Sequence, residues 1–154
     1  MPTQPSMKWY KFIIYCQLIL APLIDLFNAY SSITGVAYEA QGAGTKDLVY
    51  RIYPSLETID KVYGFLLIGL AVLGFIARQK LAKFSSIGPK LYFAFLGATL
   101  GAVLFYLIGL LSIFNEAEQI ANLSSLFGNV IGLIILICVN IPYFKNREHL
   151  FINE

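Results

Sequence analysis

Asp25 is the residue from which chemistry is first expected. It stands inside an apolar run from about Phe12 to Ser32 and is the one ionisable acid or base well within such a run. Charge at that depth costs several kcal/mol, so the residue type points to proton or cation binding, or to a buried hydrogen bond between helices. At about 100° per residue, Gln17, Ala21, Asn28 and Ser32 share with Asp25 a helical stripe about 80° wide. Farther along the chain Ser125, Asn129, Gly132, Leu136 and Asn140 form a second stripe of about the same width. A rise of about 1.5 Å per residue puts Asp25 roughly 10 Å inside one boundary, Asn129 about 9 Å and Tyr106 about 12 Å. Asp25, Asn28, Tyr106, Ser125 and Asn129 are therefore expected to form one intramembrane polar cluster. Asp25 acts in it as interhelical glue, hydrogen-bonded to Tyr106 or Asn129, or as a proton or cation site, or simply lies near water at the outer boundary.

Other chemistries lack their residues. Cys16 and Cys138 do not have the C-x-x-C spacing of a reactive thiol pair, and two cysteines make no disulfide framework. Both are expected to be reduced. His149, the one histidine, has no second His or Cys nearby, and zinc or haem needs several such ligands. There is no Gly-rich phosphate loop and no G-x-S-x-G nucleophile motif. The expectation is a protein with no catalytic residues, no cofactor, no metal and no nucleic-acid partner, and not an enzyme.

The elements that must carry the polar seams follow from composition. Of 154 residues, 58% are hydrophobic and 13% charged, about half the charge of an average soluble domain. A bilayer core about 30 Å thick requires about 20 mainly apolar residues per helix. Four stretches meet this: about 12–32, 61–77, 91–114 and 123–144. An all-α polytopic membrane protein of one domain, residues 1–154, follows, with four transmembrane helices in an antiparallel bundle. Lys8, Lys11, Arg78, Lys80, Lys83, Lys90, Lys145 and Arg147 fall on one side; Lys46, Arg51 and Lys61 fall on the other, beside Glu116 and Glu118 of the third loop. Eight against three predicts that both termini are cytoplasmic. The first apolar run is about 20 residues, longer than the roughly 7–15 of a signal peptide, and reads as an uncleaved helix.

The outer loop, about 35–60, is the one sizeable extramembrane segment. Its residues 48–53 read as a short strand or as an interfacial stretch dipping its tyrosines into headgroups. Pro54-Ser55 opens the second helix with Ser55 as N-cap, and Glu57 and Asp60 favour its first turn. Arg78 to Phe84 prolongs this helix, and Pro89 suits the first turn of the next. Gly97-x-x-x-Gly101 and Gly128-x-x-x-Gly132 mark small-residue faces for helix packing, with Gly69, Ala71 and Gly74 thinning the second helix, within the bundle before between protomers.

Three passages carry a family resemblance: Lys8-Trp9-Tyr10-Lys11-Phe12, Tyr50-x-x-Tyr53-Pro54, and the ending Tyr143 to Phe151. The chain resembles a broad group of small four-helix bacterial integral membrane proteins with no assigned activity. The resemblance implies the architecture and a bacterial inner-membrane location, and it transfers no functional residues. From the missing chemistry, the function expected is an accessory, structural or regulatory tetraspan component. Its partners are the lipid bilayer and either another membrane protein or a second copy. The alternative is a small transporter or channel using Asp25, for which Pro22 would kink the first helix.

Overall fold

The computed structural model of the chain describes residues 7–114 and 120–153, and Glu116 and Glu118 lie outside them. Helix α1 (Lys8–Phe12), a π-helical turn (Ile13–Gln17) and α2 (Leu18–Thr34) run on from one another as the first span. Two short helices follow, α3 (Val36–Glu39) and α4 (Thr45–Ile52). Then come α5 (Pro54–Ala82), α6 (Gly88–Ile113) and α7 (Ile120–Lys145), and a 3₁₀ turn at Glu148–Leu150. Four helices are long and apolar enough to cross a membrane: Lys8–Thr34, Pro54–Ala82, Gly88–Ile113 and Leu123–Lys145. The protein is an all-α tetraspan bundle, with no strand among the described residues.

Neighbours in sequence are neighbours in space. Helix α5 packs against α2 on one side and α6 on the other, and α6 carries α7. The centre is the α5 row Leu56, Asp60, Gly64, Leu67, Ala71 and Gly74, all buried. Their spacing of three and four residues is the period of one helix face. That face thins where α2 crosses it. A Cβ at Gly74 would lie 2.7 Å from Pro22 Cγ, and one at Gly64 would lie 2.5 Å from Ile33 Cγ1. These glycines bring the helices together, as small residues do in membrane bundles.

Gly74 is one of the residues expected to thin this helix, but the two GxxxG pairs behave otherwise. A Cβ at Gly97, Gly101, Gly128 or Gly132 would meet nothing within 4 Å, and all four residues are exposed. The intramolecular packing role is thus corrected: these glycines lie on outward faces of α6 and α7, and the close approaches belong to Gly64 and Gly74.

Three local expectations also change. Residues 48–53 are no strand: Thr45–Ile52 is a helix that starts after Gly44 at φ 80°. Its apolar residues do not alternate; Val49 and Tyr53, four apart, face inward, while Leu48 and Ile52 face out. Helix α5 begins at Pro54, where its Pro54-Ser55 opening was expected, and Glu57 pairs with Lys61 at 2.7 Å across its polar first turns. With Pro54 at its first position, Ser55 is inside the helix and is not the cap. Pro22 sits within an α2 that continues through it, and the irregular backbone comes earlier, at the π turn.

The end bearing the chain termini is tied by aromatic rings. Tyr10 stacks on Phe84 at 5.2 Å and meets the Phe144 ring edge-on at 6.4 Å, and its hydroxyl donates to Leu81 O at 2.5 Å. The tail returns to the same place. Asn153 N donates to Phe84 O and Asn153 O accepts from Ser86 N, at 3.2 and 2.8 Å. This holds Phe84 at φ 52°, a left-handed conformation that costs an ordinary residue roughly 1–2 kcal/mol.

Candidate functional site

The polar cluster of this protein is centred on Asp60, not on Asp25. Asp60 occupies the buried α5 row and is 2% exposed. Tyr38 and Tyr50 donate to its Oδ2 at 3.0 and 3.1 Å. Tyr106 of α6 donates to Oδ1 at 2.9 Å. A carboxylate accepts only, and three hydroxyl donors with no cation are the complement of its ionised form. The local folds supply the donors: α3 delivers Tyr38 and α4 delivers Tyr50, whose rings meet edge-on at 5.5 Å. Burial holds the hydroxyls of Tyr38 and Tyr50 above the ordinary tyrosine range, and the neighbouring Asp60 charge adds to the effect.

A cavity of about 570 Å³ opens beside this cluster, between α4, α5, α6 and α7. Tyr38 and Tyr106 form part of its wall, with Tyr53, Leu56, Leu110, Phe114 and Leu123 around them. Tyr106 also stacks on Tyr63.

The residues expected to converge do not. Asp25 is half-buried and its Oδ2 has no hydrogen-bond partner. Tyr106 gives its proton to Asp60, so the expected Asp25–Tyr106 bond is absent. Asn28 and Asn129 are exposed; the described bonds include none between Asn129 and Asp25. Ser125 lies at the cavity rim on an exposed position. Of the five, the structure places Tyr106 and Ser125 at the cavity and disperses the others. The physical reason is angular. The described contacts place α7 against α6 and not along α2, so the two polar seams never face each other over most of their length.

They do meet at the far end. Trp9 Nε1 donates to Asn140 Oδ1 at 2.9 Å, Asn140 Nδ2 donates to Tyr92 Oη at 3.2 Å, and Tyr92 Oη donates to Gln17 Oε1 at 2.9 Å. Asn140 is fully buried there. Beside it, Arg78 Nε donates to Ile14 O of the π turn at 3.2 Å. The Trp9–Asn140–Tyr92–Gln17 chain joins the first, third and fourth spans, and the Arg78 bond ties the second span to the first beside it.

Sequence reasoning missed Asp60 because it was assigned to the solvated first turn. The available signal was its register: Asp60 repeats the Leu56, Gly64, Leu67 spacing of a core row, and a carboxylate in a core row requires donors. The tyrosines of the preceding loop are those donors. Cys16 and Cys138 are free thiols, and the described residues contain no group of three or more His, Cys, Asp or Glu able to hold a metal. Compared with known protein families, curated proteins and solved structures, the chain matches none.

Proposed function

We propose that this chain is an accessory tetraspan component, structural or regulatory, of a bacterial inner membrane, multi-pass with both termini cytoplasmic. The observation that carries the reading is α7. It leans on α6 alone over most of its length and leaves Gly128, Asn129 and Gly132 exposed, with open space where a Cβ would be at both glycines. An amide facing lipid is unfavourable, and small residues beside it let another backbone approach. That face suits a membrane-protein partner or a second copy. The deep polar groups at Asp60 and Asn140 are held in fixed bonds, as a scaffold requires. The orientation rests on the eight-to-three distribution of Lys and Arg.

A photocrosslinker at position 129 in intact membranes tests the reading. A discrete adduct from 129 and not from Phe65, exposed on α5, is expected; lipid-only labelling at both positions overturns it. Cysteines at positions 44 and 86, in a chain with Cys16 and Cys138 replaced by Ser, test the orientation. An impermeant thiol reagent should label 44 alone in whole cells.

The transporter or channel reading retains one supporting observation, the buried and unpartnered Oδ2 of Asp25. An ion-dependent signal in the native protein that disappears in Asp25→Asn would favour it over the accessory reading.

A further inference from the structure

The cavity beside Asp60 has about 570 Å³, within the roughly 300–1,000 Å³ of small-molecule sites. Tyr38 and Tyr106 are in its wall, and both give their single hydroxyl proton to Asp60. With that proton committed, each oxygen offers an incoming molecule lone pairs only. Tyr53 and Phe114, edge to face at 5.1 Å, line it with Leu110 and Leu123. Behind the hydroxyls, Asp60 has no basic partner among the described residues. Lys61, its chain neighbour, is held by Glu57 at 2.7 Å.

Three properties therefore coincide at the Tyr38 and Tyr106 hydroxyls, in a wall that also includes Gln41 and Ser125: apolar and aromatic neighbours, two oxygens that only accept, and the Asp60 carboxylate with no basic partner among the described residues. An anion is repelled there. A neutral alcohol finds acceptors and apolar walls and gains nothing from the charge. An ammonium group on an apolar body uses all three, and aromatic faces add attraction for a cation.

We infer that this cavity is a binding site for small amphipathic organic cations, whose ammonium group lies against the Tyr38 and Tyr106 hydroxyls beside Asp60. The inference goes beyond the accessory reading and stands or falls independently of what α7 contacts.

The test uses the full chain in nanodiscs of zwitterionic lipid, with empty nanodiscs as background. The probes are 4-phenylbutylammonium, neutral 4-phenylbutanol and anionic 4-phenylbutyrate. Saturable ammonium binding at least about tenfold tighter than the alcohol is expected, the gain of one charge-assisted hydrogen bond, with no binding of the butyrate. Asp60→Asn should bring the ammonium to the affinity of the alcohol. Leu110→Trp puts bulk into the cavity wall while leaving Asp60 and its three donor residues unsubstituted, and should abolish saturable binding. No saturable ammonium binding, equal affinity for ammonium and alcohol, or ammonium binding unchanged by Leu110→Trp would each overturn the inference. The ammonium-to-alcohol ratio of the native chain and the Leu110→Trp result decide the matter even if Asp60→Asn fails to fold.

Discussion

The rings of Tyr63 and Tyr106 stack with centroids 4.3 Å apart and planes 17° from parallel, and this pair stands between two carboxyl groups. On one side Tyr106 donates to Asp60. On the other, Tyr63 lies within electrostatic range of Asp25. The two acids are unequal: Asp60 has three hydroxyl donors, and one oxygen of Asp25 is buried with none.

That inequality predicts opposite mutational behaviour. Asp60→Leu leaves three hydroxyls without their acceptor and should lower stability by at least about 3 kcal/mol, since each such donor costs about 1–3 kcal/mol. Asp60→Asn keeps an acceptor and should cost less. Asp25→Leu removes an unpaired oxygen and should be neutral or stabilising. Thermal unfolding in detergent ranks the three; a larger loss for Asp25→Leu than for Asp60→Leu would reverse the assignment.

Gly74→Ala should destabilise the contact between α2 and α5 by about 1–3 kcal/mol, the usual cost of overpacking, because its new methyl would meet the rigid Pro22 ring at 2.7 Å. Gly97→Ala and Gly101→Ala add a methyl to open space and should leave the monomer within about 0.5 kcal/mol of the native chain. The same unfolding measurement on the three variants checks this.

Asn140→Leu removes the node shared by Trp9 and Tyr92. Interhelical hydrogen bonds in membranes average about 0.6 kcal/mol. Two lost bonds, with their partners stranded, should cost about 1–3 kcal/mol. The chain has one tryptophan, so unfolding followed by its emission reports directly on the bond being cut.

Alkali should unfold the loop end first. Tyr38 and Tyr50 have folded-state values raised by burial and then by the Asp60 charge. The unfolded hydroxyls ionise near 10.0, so below that pH both states are protonated and the stabilisation is complete. As pH rises past it, the unfolded chain loses protons that the fold retains, and stability falls. A pH series of unfolding temperatures should be flat from 7 to about 9 and decline above about 10. Tyr50→Phe should make the decline shallower; a decline that begins below pH 8 would contradict the linkage.

The four spans were legible in the sequence because apolar run length alone settles them, and the helix through Arg78 extends past the apolar run to Ala82 as expected. The polar cluster was not legible. Asp25, Asn28 and Ser32 share one regular helix in α2, but that helix does not pack along α7 in the described contacts. Matching Asp25 to Asn129 by depth also assumed that the first and last spans face each other, which requires the packing order and not the residue list. Asp60 was hidden by its charged neighbours: Glu57 and Lys61 read as a solvated turn, and they do bind each other, while the acid between them turns inward.

The π turn sets the angular register of everything that precedes it. A π turn holds one residue more than the α-helical path it replaces, so deleting one residue from Ile13–Gln17 would let the backbone relax to regular pitch. Trp9 and Tyr10 would then still face Asn140 and Leu81, whereas one residue removed from the regular helix Leu18–Thr34 would swing them about 100° around the axis. A deletion inside Ile13–Gln17 should therefore be milder than the same deletion inside α2. The first span thus has one place where its residue count can change by one without turning the parts on either side.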